Sequence, residues 1–310
     1  MNIGFQTDPV ENFNFETDST LPIIRESQNR NNKNYVFLPN SLTYKNNKVY
    51  GEITEVKFKN RHLNSLELIK TRHACLDIFD KIFIRQDPPY NMEYISSLHI
   101  LEQCKQKIKF INSPVGIRNA PEKISMLQFK EIIPPTIITR SVSEIKKFTS
   151  LYSKSIIKPL YGNGGESIFM LDIKDKNYNQ IIEKFLKSNK EPFIIQKFLK
   201  EIKSGDKRII LVDGEPIAAV KRIPKKGEIR SNIHVGGECE KVELSINDKK
   251  ICKRISGYLK SEGLLFVGID IIGNYLTEIN VTSPTGIREI NRLNEAYIEK
   301  IFWDKALKKL

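Results

Sequence analysis

The segment that most constrains the fold lies late in the chain, at residues 266–281, and reads Phe-Val-Gly-Ile-Asp-Ile-Ile-Gly-Asn-Tyr-Leu-Thr-Glu-Ile-Asn-Val. Two runs rich in β-branched and aromatic residues flank Gly273-Asn274, a dipeptide typical of a tight turn between antiparallel strands. Because side chains alternate along a strand, Glu278 and Asn280 share a face, and Asp270 approaches them from the facing strand. We therefore expect three oxygen-bearing side chains to converge on one face of a β-hairpin.

This hairpin predicts a metal site. Carboxylate and amide oxygens suit Mg²⁺, which commonly bridges to nucleotide phosphates. The structural alternative is a solvated hairpin whose polar residues face water, but acids embedded among apolar residues are costly to bury without a cation. We therefore predict that Asp270, Glu278 and Asn280 bind Mg²⁺, with Mn²⁺ as an alternative ion. The substitutions Asp270→Asn and Glu278→Gln are each expected to abolish most turnover and to leave the fold largely intact, since each relieves buried charge.

A Gly-rich turn follows the apolar strand at residues 156–158 and reads Gly-Asn-Gly-Gly at residues 162–165. Such a turn lets backbone N–H groups approach anionic oxygens closely, and Lys158 at the end of the strand can neutralise phosphate charge. A plain hairpin with a solvated lysine is the alternative interpretation. The pattern is neither a Walker A motif nor a Gly-x-Gly-x-x-Gly fingerprint, which argues against P-loop and Rossmann dinucleotide-binding folds.

Basic residues form a third candidate group. A guanidinium can bind a carboxylate or phosphate through two parallel hydrogen bonds. A single surface arginine, by contrast, more often forms an ion pair of little energetic consequence. Together with the carboxylate hairpin, these residues favour a site for an anionic substrate. They are Lys123, Arg208, Arg230 and Arg288.

The remaining pattern predicts a mixed α/β (α+β) protein. Residues 3–5 and 35–38 are predicted strands, and the helix between them begins near Asp18 and Ser19, as in a βαβ unit. A buried strand at 81–84 leads into Arg85-Gln86-Asp87-Pro88-Pro89, where the prolines force the chain out of the sheet. Ligands of open α/β sheets collect at such strand ends. Further helices are predicted at 92–106, 122–129, 142–152 and 178–186, further strands at 110–112, 136–139, 155–158, 167–171 and 193–198, and hairpins at 209–220 and 265–279.

The distribution of charge and the lack of a targeting pattern argue against several classes of protein. Fifty Lys and Arg against 37 Asp and Glu give a formal charge of +13, which would also suit a basic nucleic-acid-binding protein. The lysines are scattered, however, without a block of like charges or an aromatic-interleaved basic stripe. The N-terminus lacks a signal-peptide pattern and no apolar run is long enough to span a bilayer. We therefore expect a cytoplasmic protein that binds neither nucleic acid nor membrane.

The four cysteines and four histidines show no zinc-type spacing. The cysteines are Cys75, Cys104, Cys239 and Cys252, and no Cys-x-x-Cys pair occurs among them. We expect reduced, structural thiols and no transition-metal site.

Together these segments resemble bacterial glutathione synthetases of the ATP-grasp superfamily, from Asp8-Pro9 to the C-terminal helix. The carboxylate-and-asparagine hairpin is common to ATP-grasp enzymes. The strings Arg85-x-Asp87-Pro88-Pro89 and Asn-Val-Thr-Ser-Pro-Thr at 280–285 are more specific to the synthetases. The other segments that carry the likeness are 268–279, Lys158-Pro159 with its Gly-rich turn, Asp206-Lys207-Arg208 and 286–290.

The resemblance implies an ATP-grasp fold preceded by an N-terminal pre-ATP-grasp α/β domain. The implied domains are an N-terminal, substrate-side domain at 1–120, a central ATP-grasp lid at 121–200, and a C-terminal ATP-grasp domain with the Mg²⁺ site at 201–310. It also implies a homotetramer. Three positions depart from the family pattern: Tyr161 replaces an acid, Ser231 a glycine and Gly286 a cysteine.

The resemblance further implies a role for each matching residue. The implied ATP-binding residues are Lys123, Lys158, Gly162, Gly164, Gly165, Gln196, Phe198, Leu199 and Arg208. The implied catalytic residues are Arg208, Arg230 and Asn232. The implied substrate-binding residues are Arg85, Arg230, Asn232, Ser283, Thr285 and Arg288.

The implied activity is ATP-dependent ligation of γ-glutamylcysteine to glycine through an acyl phosphate, with release of ADP and phosphate. The alternative within the superfamily is a carboxylate–amine ligase that acts on a different peptide or amino acid. Because water would hydrolyse an acyl phosphate, loops at 224–237 and 162–165 are expected to close over it.

Overall fold

The computed structural model describes residues 1–60, 62–104, 108–162, 167–225, 228 and 238–308. Within these residues, β-sheets of seven, four and five strands follow one another along the chain. Each sheet lies inside one of the segments 1–120, 121–200 and 201–310, which we retain as a proposed division into domains. None of the helices in these ranges is long and apolar enough to cross a bilayer.

The N-terminal part contains the seven-stranded mixed sheet. Its elements are β1 (Asn2–Gln6), α1 (Thr20–Asn29), β2 (Lys33–Phe37), β3 (Thr43–Lys45), β4 (Lys48–Phe58), β5 (Leu66–Cys75), β6 (Lys81–Ile84), α2 (Met92–Leu101), β7 (Lys109–Ile111) and α3 (Pro114–Asn119). Strand β1 pairs in parallel with both β2 and β6, which confirms the βαβ start. Asp18 Oδ1 accepts hydrogen bonds from the N–H groups of Thr20 and Leu21 at the start of α1.

Strands β3, β4 and β5 extend this sheet in antiparallel fashion, and the sequence did not predict this extension. The side chains of β5 are exposed along most of its length on both faces. The strand therefore lacks the alternation of apolar and polar residues that signals a half-buried strand. The helix predicted to reach residue 106 ends at Leu101 and continues as a 3₁₀ turn to Cys104.

The central part is a four-stranded antiparallel sheet in the order β10-β9-β11-β8. Its elements are β8 (Thr136–Thr139), α4 (Val142–Tyr152), β9 (Lys154–Pro159), β10 (Phe169–Asp172), α5 (Tyr178–Ser188) and β11 (Phe193–Lys197). Both helices pack their apolar faces on the sheet, in a separate core that includes Ile145, Ile157, Ile182 and Phe193. All six elements match the predicted ones within two residues at either end.

The C-terminal part contains an antiparallel sheet in the order β14-β13-β12-β15-β16. Its elements are β12 (Asp206–Val212), β13 (Glu215–Ile223), β14 (Glu238–Lys241), α6 (Ile246–Ser261), β15 (Phe266–Ile272), β16 (Tyr275–Asn280), α7 (Ile287–Asn294) and α8 (Ile298–Lys308). Both predicted hairpins are confirmed. Helix α6, which was not predicted, begins at a capping box formed by Ser245 and Asp248.

The helix predicted at 122–129 is wrong. A 3₁₀ turn, Ser125–Gln128, occupies this stretch. The carbonyl groups of Glu122 and Ile132 accept hydrogen bonds from the N–H groups of Ile279 and Leu276. The segment is thus held against β16 by tertiary hydrogen bonds, which override its local helical pattern.

Asn112 joins the N-terminal and C-terminal parts. Its Nδ2 donates to the carbonyl groups of Phe266 (2.8 Å) and Val281 (2.9 Å), and its Oδ1 accepts from the N–H of Phe266 (2.8 Å). Two hydrophobic clusters also contain residues of both parts. The candidate site described next therefore lies on a C-terminal sheet that is firmly attached to the N-terminal part.

Candidate active site

The late hairpin brings its polar side chains to one face. Asp270 pairs directly with Glu278, and Gly268 pairs with Asn280, so the three oxygen-bearing side chains point the same way. Asp270 and Glu278 both line an open cleft. The structure therefore places these two carboxylates together, with Asn280 next along the same face, as the sequence predicts.

Two buried arginines neutralise Asp270. Arg208 donates from Nε to Oδ1 (2.5 Å) and from Nη2 to Oδ2 (2.9 Å), and Arg222 Nη2 lies 3.0 Å from Oδ2. Burial alone would raise the pKa of Asp270, but the two guanidinium groups outweigh it and hold the pKa below its ordinary value. The carboxylate is therefore ionised, which is the form that a metal ion would require.

Arg222 did not appear among the residues singled out from the sequence. It lies on β13 opposite Asp206, to which its guanidinium donates two hydrogen bonds. The predicted hairpin around Asp213-Gly214 does not give this pairing by itself, because its regular register would bring Lys221 opposite Asp206. A shift of one residue in the register, between Ile210 and Leu211, brings Arg222 there instead.

Two lysines lie near one another, and one of them, Lys158, lines the cleft. Lys158 Nζ is 3.4 Å from Glu278 Oε1, and burial lowers the pKa of this lysine. Lys123 Nζ donates to the carbonyl group of Gly162, where the Gly-rich turn begins. The first contact places Lys158 beside the late hairpin, and the second places Lys123 at the start of the Gly-rich turn.

Glu122 was also missed by the sequence reasoning. Its carboxylate accepts a hydrogen bond from Thr282 Oγ1 at 3.4 Å. Burial, followed by repulsion from Glu278, raises the pKa of Glu122 to about 7, although neighbouring Lys123 opposes this shift. Glu122 lies in the segment predicted to be a helix, where no local sequence pattern indicates a site residue.

The cleft runs between the central and C-terminal sheets. Gln196 is held by a 3.1 Å hydrogen bond from its Nε2 to Thr136 Oγ1. Residues just beyond β11 line the same cleft as the two carboxylates, an arrangement that can hold a nucleotide with its phosphates near a metal ion. The predicted ATP-binding residues that line the cleft are Lys158, Gln196, Phe198 and Leu199.

Two arginines hold the turn Ser283-Pro284-Thr285 from opposite sides. Arg85, from the N-terminal sheet, donates from Nη2 to the Pro284 carbonyl at 3.2 Å. Arg208 donates from Nη1 to the Thr285 carbonyl at 3.3 Å. Arg85 Nη1 is buried and has no hydrogen-bond partner among the described residues. A buried donor in this state is costly and suits an anionic group of a substrate.

The structure does not bring Arg288 to this place. Arg288 Nη1 donates to the Phe15 carbonyl (2.9 Å), and its side chain lines a different cavity beside Cys239 and Glu289. Most of the two loops expected to close, 162–165 and 224–237, lies outside the described ranges. Four predicted site residues lie there too, namely Gly164, Gly165, Arg230 and Asn232.

The donor set fits a hard divalent cation. Among the residues that the structure describes, no group of three or more His, Cys, Asp or Glu is placed to hold a metal ion. The candidate ligands are instead two carboxylates and one amide, a set of oxygen donors that suits Mg²⁺. Asn280 Nδ2 is buried without a partner among these residues; as a donor it suits an anionic oxygen such as that of a phosphate, whereas the ligand to a cation would be Oδ1.

Comparisons with solved structures show the fold. The crystal structure of the D-cycloserine synthetase DcsG is similar over 100% of this chain and 99% of its own, with a TM-score of 0.69 and 10% sequence identity. The ATP-grasp ligase PsnB, complexed with a precursor variant, Mg and ADP, covers 99% of this chain and 97% of its own, with a TM-score of 0.62 and 13% identity. The chain therefore has an ATP-grasp fold.

Sequence comparisons are more specific. Residues 1–118 match the N-terminal domain of prokaryotic glutathione synthetase, and residues 122–295 match its ATP-grasp domain. The glutathione synthetase of Agrobacterium fabrum is 41% identical over 99% of this chain and 97% of the relative. That of Synechocystis sp. is 39% identical over 94% of this chain and 95% of the relative. The chain thus belongs to the prokaryotic glutathione synthetase family of ATP-grasp ligases.

Proposed function

We propose that this protein joins γ-glutamylcysteine to glycine at the expense of ATP and forms glutathione, ADP and phosphate. One observation carries the proposal at the level of the site: Lys158 and the strand end at Gln196 line the same cleft as Asp270 and Glu278. Nucleotide, metal and reacting carboxylate can therefore meet in one place. Membership of the family supports the choice of substrates.

The proposed reaction proceeds through an acyl phosphate. An oxygen of the cysteinyl carboxylate attacks the γ-phosphorus of ATP, and the bond to the β-phosphate oxygen breaks as ADP leaves. The glycine amine then attacks the activated carbonyl carbon, loses a proton and expels inorganic phosphate, so that an amide bond forms. No enzyme nucleophile is required, because the work consists of positioning reactants and stabilising phosphoryl charge.

The oxygen-bearing and the basic residues are proposed to have different roles in this reaction. Asp270, Glu278 and Asn280 would hold Mg²⁺, with Mn²⁺ as a substitute, and the ion would neutralise phosphate oxygens. Lys123 and Lys158 would contact the phosphates. Arg208 connects the metal-binding hairpin to the turn at 283–285, because its guanidinium donates to the Asp270 carboxylate and to the Thr285 carbonyl group.

The carboxylate substrate would lie on the other side of Arg208. Arg85 offers its unpaired Nη1 there, close to Ser283 and Thr285. Arg230 and Asn232 are proposed to stabilise the reacting carboxylate, and Arg288 to orient a more distant substrate group. A homotetrameric assembly completes the proposal.

An ADP-release assay tests the substrates. Purified protein with Mg²⁺ and ATP is given γ-glutamylcysteine and glycine, then each alone, then other dipeptides and amines. We expect ADP and glutathione in equal amounts with the complete pair and background ADP with either substrate alone. Glu278→Gln should reduce turnover at least a hundredfold. Faster turnover with a different acceptor or donor would assign another carboxylate–amine ligase activity to this site.

A further inference from the structure

The side chain of Tyr161 lies against the N-terminal part. Its ring stacks on that of Tyr90, with the ring centroids 6.0 Å apart and the planes at 24°. Tyr161 immediately precedes the Gly-rich turn, whereas Tyr90 follows the double proline after β6. The stack therefore connects the start of the candidate phosphate-binding turn to the N-terminal sheet.

Tyr90 is the fixed partner of this pair. It is 8% exposed, its hydroxyl donates to the Arg118 carbonyl at 2.6 Å, and its ring lies 5.6 Å from that of Tyr94. Tyr161 is 39% exposed. Its ring is thus held mainly by the face of Tyr90, and removing it would leave no buried cavity of the kind that destabilises a core.

The residues on either side of Tyr161 are also held. Leu160 is buried in the large core cluster. The Gly162 carbonyl accepts a hydrogen bond from Lys123 Nζ. A Cβ atom at position 162 would lie 2.7 Å from Pro159 Cγ, so the backbone here is packed closely. The orientation of the Gly162 carbonyl, and with it the position of the Lys123 ammonium, therefore depends on how residues 160–162 are fixed.

We propose that Tyr161 is a positioning residue for the nucleotide: by stacking on Tyr90 it fixes the start of the Gly-rich turn and keeps Lys123 in place for the phosphates of ATP. This inference rests on the proposed function for the location of those phosphates. An aromatic pair of this kind changes an equilibrium by about two- to twelvefold, which sets the size of the expected effect.

Nucleotide binding tests the inference directly. The affinity of the full-length protein for Mg·ATP is measured by isothermal titration calorimetry for wild type, Tyr161→Ala, Tyr161→Phe, Tyr90→Phe and the exposed control Tyr44→Ala. We expect Tyr161→Ala to raise Kd about two- to twelvefold. The phenylalanine variants keep the stacked rings and should stay within twofold of wild type, as should Tyr44→Ala. An unchanged Kd for Tyr161→Ala would overturn the proposal.

Steady-state kinetics separates positioning from a general loss of structure. Tyr161→Ala should raise KM for ATP by the same factor, while KM for glycine and kcat change less than twofold. Combining Tyr161→Ala with Tyr90→Ala should cost no more affinity than the larger single effect, because both remove one contact. If the two substitutions raised Kd by factors that multiply in the double variant, the stack would not be the cause of the effect. The calorimetry needs no substrate pair, so a failure of the glutathione assay would leave this test intact.

Discussion

The carboxylate of Asp270 receives two parallel hydrogen bonds from the guanidinium of Arg208, inside the cleft where the metal ion is proposed to bind. Arg222 adds a third charged contact to the same carboxylate. From the sequence, Asp270→Asn is expected to relieve buried charge and to leave the fold largely intact. That expectation is corrected by the structure, because the negative charge of Asp270 compensates two buried guanidinium groups.

Neutralising Asp270 should therefore lower the free energy of unfolding of the protein more than neutralising Glu278. Asp270→Asn should lower the free energy of unfolding of the ligand-free protein by about 2–4 kcal/mol, since it leaves buried arginine charge uncompensated. Glu278→Gln should change it by less than about 1 kcal/mol, because Glu278 is partly exposed and contacts Lys158 at 3.4 Å. Urea denaturation followed by circular dichroism measures both. Equal losses in the two variants would contradict the different roles assigned to the two acids.

Asn112 should be a major source of cohesion between the N-terminal and C-terminal parts. Asn112→Ala removes three hydrogen bonds and leaves two buried carbonyl groups and one buried N–H group unsatisfied, so a loss of about 3–5 kcal/mol in unfolding free energy is expected. The exposed Asn179→Ala, in the central part, is a suitable control for the loss of an asparagine. Chemical denaturation that shows a change below about 1 kcal/mol for Asn112→Ala would refute this role.

Glu122 should make the stability of the protein depend on pH when metal and nucleotide are absent. Its pKa is raised from 4.5 to about 7 in the folded state, chiefly by burial. Between these values the folded state retains a proton that the unfolded state releases, so the free energy of unfolding falls as pH rises from about 5 to 7. Glu122→Gln resembles the protonated form and should be more stable than wild type by about 1–2 kcal/mol at pH 8.

The comparison is made by denaturation at pH 5 and pH 8, with the exposed Glu243→Gln as control. Glu122→Gln should match wild type at the lower pH and exceed it at the higher one. A variant that is less stable than wild type at both values would show that the ionised carboxylate is stabilising.

The cysteines should differ in reactivity. Burial raises the pKa of both Cys104 and Cys252 to about 12, and because the thiolate is the reactive form, each should resist alkylation. Cys75 is partly exposed and should react first with iodoacetamide at pH 8 in the folded protein. Mass spectrometry of peptides quantifies each site. Labelling of Cys104 or Cys252 as fast as that of Cys75, without unfolding, would be inconsistent with their burial.

Local pattern predicted the parts of the fold that carry strong periodicity. The βαβ start, the whole central sheet and both late hairpins follow from alternation, helical spacing and turn residues. Strand β5 lacked such a pattern because it is solvent-exposed, and the 122–129 segment was misread because hydrogen bonds to β16 decide its conformation. Local propensity gives no information about contacts of this kind.

The candidate site, like the fold, was only partly predictable from the sequence. The sequence predicted the convergence of Asp270 and Glu278, but this convergence depends on a register shift between Asp270 and Ile271. Without the shift, the Gly273-Asn274 hairpin would pair Asp270 with Thr277 and place it on the face opposite Glu278. Arg222 and Glu122 were missed, because their importance depends on burial and on partners distant in sequence. The stack between Tyr90 and Tyr161 likewise joins residues that no local pattern connects.

The most direct test of the proposed chemistry follows an oxygen atom. γ-Glutamylcysteine labelled with ¹⁸O in the cysteinyl carboxylate is incubated with the protein, Mg²⁺, ATP and glycine, and the inorganic phosphate is analysed by mass spectrometry. Activation as an acyl phosphate transfers one labelled oxygen to each phosphate released, with one glutathione formed per phosphate. Glutathione formed together with unlabelled phosphate, or ATP hydrolysed without glutathione, would contradict the account.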